Sequence, residues 1–292
     1  MGYGSYSASD WSKLKSSRKL SNDQNVEEVF KKRSCDPKLD PRFIGTRECF
    51  DSQDHPHSTP IVVGLDVTAS MGYLAVKVAT EALNDLITKL YSTSTIEDPA
   101  LMCAAYGDFK DESPLQVTQF ESDIRIAEQL LDIYFENHGN NKVVPTCLWE
   151  FLSRHTNIDA INKRGEKGFL FTIGDGADIR TDTVPETIKR VIGDDVPEAS
   201  VESLLTEVEK KFHVIHIMIG GEGNRDILSG RKIVIGDGAV NVIPDIIFGA
   251  IRLQKGEKLT DILEPYDNAN RLLIYNALNQ LSLSDVGQSI TL

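Results

Sequence analysis

Asp66, Thr68 and Ser70 stand at alternate positions in the stretch Asp66-Val67-Thr68-Ala69-Ser70-Met71-Gly72. A tight loop can turn a carboxylate and two hydroxyls so spaced toward one point. Together they form a hard oxygen donor set, suited to Mg2+, Mn2+ or Ca2+ rather than to a softer metal. The competing reading is that Asp66 and Ser70 cap a helix, because their side chains readily accept from the free N–H groups of a first turn.

The elements around the loop favour a site. Ile61-Val62-Val63-Gly64-Leu65 is a continuous apolar run ending at Asp66. Such a run suits a strand buried on both faces of a parallel sheet. Leu74, Ala75, Val78, Ala79, Ala82, Leu83, Leu86, Ile87 and Leu90 follow at helical spacing. The loop therefore joins a first strand to a first helix, and parallel α/β sheets collect ligands at the carboxyl ends of their strands. Further buried runs lie at Leu101–Tyr106, Gly168–Ile173 and Phe212–Ile219, with a short one at Ile233–Ile235. Leu115–Phe120 alternates and reads as an edge strand joined through the Asp111–Pro114 turn. Helical patterns occupy Ile124–Tyr134, Cys147–His155, Val201–Lys211 and Pro244–Leu253. The expected fold is α/β: a mostly parallel central sheet, helices on both faces and one antiparallel edge strand.

The loop resembles the metal-ion-dependent adhesion site of the von Willebrand factor A family, whose pattern is Asp-x-Ser-x-Ser. Here it reads Asp-x-Thr-x-Ser, which keeps both hydroxyls. The resemblance covers roughly residues 58 to 256. Arg47 through Gly72 is also similar to uncharacterised bacterial and phage members of the family. The resemblance implies a Rossmann-like fold and two further ligands, a Thr in a later loop and an Asp after a later strand. The Thr maps to Thr146, just before the helix from Cys147, with Thr156 and Thr172 as less well placed competitors. The Asp maps to Asp175, after the run Phe171-Thr172-Ile173. Asp66 and Asp175 would act directly or through water. Asp108 ends another buried run; it reads either as an acceptor that orients a ligand or water, or as a solvated turn residue. Asp178 reads as solvated.

The function these residues imply is binding. A cation held mainly by neutral hydroxyls keeps its charge, and an Asp or Glu from a protein partner completes its coordination. The rival is a metal-dependent hydrolase or phosphotransferase on a similar sheet, but that chemistry needs a second Asp where Thr68 stands. No Ser-His-Asp arrangement, Walker loop or HExxH motif is present, so no enzyme is expected. A scaffold with a vestigial metal site is the third reading. Gly220-Gly221-Glu222-Gly223 lacks the spacing of a phosphate loop and reads as a turn. His213 and His216 lie three apart on one strand and face opposite sides. His55 and His57 flank Pro56 without a metal pattern.

The net charge of −13 over 292 residues argues against nucleic-acid or anionic-membrane partners. Trp11 and Trp149 have no basic cluster around them to make a base-stacking platform. Cys35, Cys49, Cys103 and Cys147 have neither zinc nor redox spacing. There is no apolar leader and no run near the ~18 residues of a membrane span, which points to the cytoplasm. Residues 1–57 are sparse in apolar side chains and broken by Pro37, Pro41 and Pro56. They read as an N-terminal extension, partly disordered or wrapped on the domain, with a short helix near Val26–Lys32 and no essential part in folding. Residues 58–256 form the domain. Residues 257–292 form a C-terminal helical tail that packs on the domain or mediates self-association with another copy.

Overall fold

The computed structural model describes residues 4–136, 145–175, 184–220 and 226–282. At its centre a six-stranded sheet has the order β4-β3-β2-β6-β7-β8. Its strands are β2 (Thr59–Asp66), β3 (Pro99–Tyr106), β4 (Leu115–Val117), β6 (Gly168–Gly174), β7 (Phe212–Ile219) and β8 (Lys232–Ile235). All neighbours are parallel except β3 and β4, so the antiparallel strand sits at an edge, as expected. Two short strands outside it, β1 (Arg47–Cys49) and β5 (Thr156–Ile158), pair in parallel.

The strand pleat divides the interior into two cores. Ile61, Val63, Leu65, Leu101, Cys103, Phe169, Phe171, Ile215 and Ile217 point into one. Val62, Met102, Ala104, Leu170 and Val214 point into the other. Alternate residues of each strand thus serve opposite faces, which is why the sequence shows unbroken apolar runs.

The first core is covered by α3 (Gly72–Lys77) and α4 (Leu83–Tyr91), which a π turn at Val78–Ala82 joins into one rod. With them lie α5 (Arg125–Leu130), α10 (Ile243–Gln254), α11 (Leu259–Leu263) and α12 (Asn268–Leu278). The second core is covered by α6 (Pro145–Arg154), α7 (Asp159–Arg164), α8 (Val184–Val191) and α9 (Val201–Glu209). Gly64 lets α6 come close, since a Cβ there would lie 2.9 Å from a Leu148 methyl. The tail helix α12 packs on its own domain: a Cβ at Gly249 of α10 would lie 2.9 Å from Leu278. Leu272 is left outside.

Residues 4–57 lie along the domain. The helices α1 (Ala8–Arg18) and α2 (Val26–Val29), with the segments after them, place Trp11, Leu14, Leu20, Val29, Phe30 and Leu39 in the first core. The Val117 N–H donates to the Leu39 carbonyl at 2.8 Å, and Arg47 donates to the Val117 carbonyl at 2.7 Å. The Tyr6 hydroxyl reaches Asn84 at 2.9 Å. At Gly72 a Cβ would lie 2.7 Å from a Val26 methyl, so α2 is seated on the first turn of α3.

Candidate metal centre

Asp66 ends β2 and is completely buried. Gly174, at the end of the adjacent strand β6, leaves room for it; a Cβ there would lie 3.2 Å from Asp66 Oδ2. Asp66 Oδ1 accepts from the Thr68 N–H at 2.8 Å and from the Thr68 hydroxyl at 2.7 Å. Asp66 Oδ2 is buried and has no hydrogen-bond partner among the described residues. Tyr106 stands opposite Asp66 in register, but its hydroxyl donates to the Ile173 carbonyl at 2.9 Å. Burial pushes the Asp66 carboxyl up to about 7; the Thr68 hydrogen bonds oppose this, while Asp175 and Asp111 add to it. A buried, unpaired carboxylate oxygen is costly, and a cation relieves the cost.

Ser70 is exposed and Asp175 half-buried, so the centre opens outward on their side. The Ser70 hydroxyl donates to Asp175 Oδ2, and Thr68 Oγ1 lies 3.4 Å from Ser70 Oγ. The side chains of the loop thus turn toward one another. Thr68, at the start of the short 3-10 turn, and Met71, at the start of α3, make no side-chain cap bond among the described residues.

Thr146 is the second residue of α6 and is buried. From there α6 runs against the strand direction. Leu148 lies over Gly64, two residues before Asp66. The helix leads into β5, where the Thr156 carbonyl accepts from Lys211 at 3.0 Å, beside the start of β7. Thr146 therefore begins its helix on the Asp66 edge of the sheet. Its two competitors are engaged elsewhere. Thr156 is at the opposite edge, with its hydroxyl on the Leu152 carbonyl at 2.5 Å. Thr172 is 2.8 Å from His216 Nδ1.

Asp108 is buried, not solvated. Its Oδ1 accepts from the Lys110 N–H at 2.8 Å, and its own N–H donates to Asp111 Oδ2 at 2.8 Å. Sequence reasoning passed over Asp111, whose charge reaches Asp66. A Cβ at Gly107 would lie 2.4 Å from Asp111 Oδ2, so this turn has no room for a side chain there. Asp178 and Gly221–Gly223 lie outside the described residues; Gly220 has a φ of +74°, in keeping with a turn.

The histidines are apart. His213 stacks on Phe169 with centroids 5.4 Å apart, whereas His216 faces Thr172. His55 is buried between Asp98 and the Gly4 carbonyl. Among the described residues, no group of three or more His, Cys, Asp or Glu could hold a metal. A cation at the Asp66 loop therefore depends on hydroxyl donors. The orphaned Asp66 Oδ2, with Thr68, Ser70 and Asp175 gathered beside it, fits such a cation.

No protein-family model and no curated protein matches this chain. Solved structures similar to it include the pilus adhesin SpaC from Lactobacillus rhamnosus GG, at 10% identity and a TM-score of 0.46. That match covers 75% of this chain, and the chain spans only 31% of the adhesin's length. A von Willebrand factor type A protein from Catenulispora acidiphila is 14% identical, with a TM-score of 0.39, over 69% of this chain and 43% of that one. The manganese-loaded TRAP protein of Plasmodium vivax is 18% identical, with a TM-score of 0.40, over 64% of this chain and 72% of that one.

Proposed function

From a von Willebrand factor A-like fold that carries an acid-and-hydroxyl loop, we propose that this chain is a metal-dependent protein-binding module. The observation that carries the reading is the buried Asp66 Oδ2 without a partner, beside two hydroxyls and a second carboxylate at the carboxyl edge of the sheet. Asp66, Thr68, Ser70, Thr146 and Asp175 would hold Mg2+, or Mn2+ or Ca2+. When bound, the cation supplies a positive point to which a partner's Asp or Glu carboxylate can attach.

The chain's own residues do the rest. Asp66 is fixed by Thr68, so its free oxygen keeps one direction. Ser70 and Asp175 hold the β2 and β6 loops together on the open side. Asp108 and Asp111 brace the loop after β3, their carboxylates accepting from the N–H groups of Lys110 and Asp108. A phosphotransferase of the rival kind would place a carboxylate at position 68. Here Thr68 instead donates its hydroxyl to Asp66, which leaves no general acid at that point.

The test is a pull-down from lysate with the full chain in Mg2+, run beside Asp66→Ala and beside wild type in chelator. Partners captured by wild type and lost in both other arms support the module. Hydrolysis of generic phosphoesters or nucleotides that rises with metal and vanishes in Asp66→Ala would overturn it.

A further inference from the structure

We propose that the outer edge of β8 is a self-association surface. A second copy of this chain pairs with it, strand to antiparallel strand, across a two-fold axis at Val234, once the Gln280 side chain that covers Val234 lets go. Nothing in this surface depends on the cation.

β8 ends the sheet and, among the described strands, pairs with β7 alone. The His216 N–H donates to the Arg231 carbonyl and the Gly220 N–H to the Ile235 carbonyl, both at 2.8 Å. Main-chain groups alternate in direction along a strand, so those of Val234 point away from the sheet. There they meet a side chain instead of a strand. The Val234 N–H donates to Gln280 Oε1 at 2.9 Å, and Gln280 Nε2 donates to the Val234 carbonyl at 3.0 Å. A side-chain amide is chemically a peptide group. Here it makes the two-way exchange of hydrogen bonds that one residue of an antiparallel neighbour would make. Gln280 follows the end of α12 and is exposed. Its stretch is tied down once more, where the Ser282 N–H donates to the Gly230 carbonyl at 2.9 Å. Turning one exposed side chain away and releasing that bond bares an edge already shaped for a strand.

The edge is complementary to itself. An axis at Val234 sets Val234 opposite Val234, and Lys232 opposite Gly236 of the other copy. Gly236 is still extended, at φ −81° and ψ 165°, and a Cβ there would meet nothing within 4 Å. The stem of Lys232 therefore has room. The charged residues from 231 to 237 are Arg231, Lys232 and Asp237. The axis brings the basic pair of one copy toward the acid of the other, so like charges do not meet. Val234 is 37% exposed, between Ile233 and Ile235 that enter the first core. Its counterpart would cover it. A second copy supplies this order of charges and this apolar centre by symmetry alone.

The experiment follows the mass of the full chain by sedimentation at physiological salt, with circular dichroism on every protein. Gln280→Ala should dimerise roughly tenfold more tightly than wild type, since the competing amide is gone. Gln280→Glu has the same reach but cannot donate to the Val234 carbonyl, and it should behave likewise. Adding Val234→Lys to Gln280→Ala should return a monomer, because two like charges then face each other. Adding Val234→Glu should do the same. Mixing these two double variants should restore a dimer, since opposite charges now meet on the axis. If neither Gln280 variant associates more tightly than wild type, the proposal fails. It fails also if the dimer survives Val234→Lys, or if the mixture stays monomeric. A dimer lost in Leu272→Ser but kept in Val234→Lys would overturn it by placing the contact on α12.

Discussion

Ser70 and Asp175 are 105 residues apart in sequence, yet the hydroxyl of one donates to the carboxylate of the other. The contact joins the loop after β2 to the end of β6, and it gathers oxygen donors before any cation arrives. Preformed donors lower the ordering cost of binding. Calorimetry with Mn2+ should therefore show one site in wild type and none in Asp66→Ala, with the circular-dichroism spectrum native in both. Equal Mn2+ binding by the variant would remove the assignment.

Thr146→Ala should weaken Mn2+ binding, and Thr172→Ala should not. The second change strips His216 Nδ1 of its partner, so its effect belongs to stability, at about 1–3 kcal/mol. Both quantities come from calorimetry and urea unfolding on the same pair of proteins. The reverse pattern would move the ligand from the start of α6 to β6.

Asp108→Asn tests the brace behind the centre. Residues that orient ligands typically change metal affinity by roughly ten- to a hundredfold when altered. A drop of that order in Mn2+ affinity with an unchanged melting temperature is expected. An unchanged affinity would leave Asp108 as an acceptor for its own turn and nothing more.

A chain starting at Ser58 should lose its cooperative melt. It would lack Trp11, Leu14, Leu20, Val29, Phe30 and Leu39 and uncover the core they fill. In the full chain, Trp11→Ala should cost about 3–5 kcal/mol in urea unfolding. A shortened chain that melts like wild type would show that the extension only decorates the domain.

The acid side of the stability profile has a named contributor. Burial, then the charge of Lys232, pull the His216 imidazole down to about 4 from 6.5. As pH falls through 6.5, the unfolded chain takes up this proton and the folded chain does not. The stability that depends on neutral His216 is thus present above 6.5 and is lost progressively down to about 4. Urea midpoints measured from pH 7.5 to 4 should fall more steeply in wild type than in His216→Gln. Parallel curves would dismiss the contribution.

What was legible follows from how each segment is buried. β2, β3, β6 and β7 are covered on both faces, so their sequences are unbroken apolar runs. The Asp66 loop was legible because it ends such a run and opens a helix. The extension was not, because Trp11, Leu14, Leu20 and Leu39 enter the core singly and at irregular spacing. The pairing of β1 with β5 joins Arg-Glu-Cys to Thr-Asn-Ile, two triplets without a pattern. The π turn at Val78–Ala82 was hidden for another reason: one extra residue per turn leaves a small-residue stretch just as apolar. Thr146 was assigned through family resemblance and its place before a helix, and Asp111 would have needed the geometry of a turn.

The seating of Val26 on Gly72 has a mechanical consequence. A helix that starts without a side chain leaves a notch, and the beginning of the chain is lodged in it like a doorstop. α3 cannot slide toward α2 without ejecting that wedge. Whatever pulls on the first thirty residues, whether a fused neighbour, a tether or a protease trimming the end, therefore pulls on the rod that starts at the loop after β2.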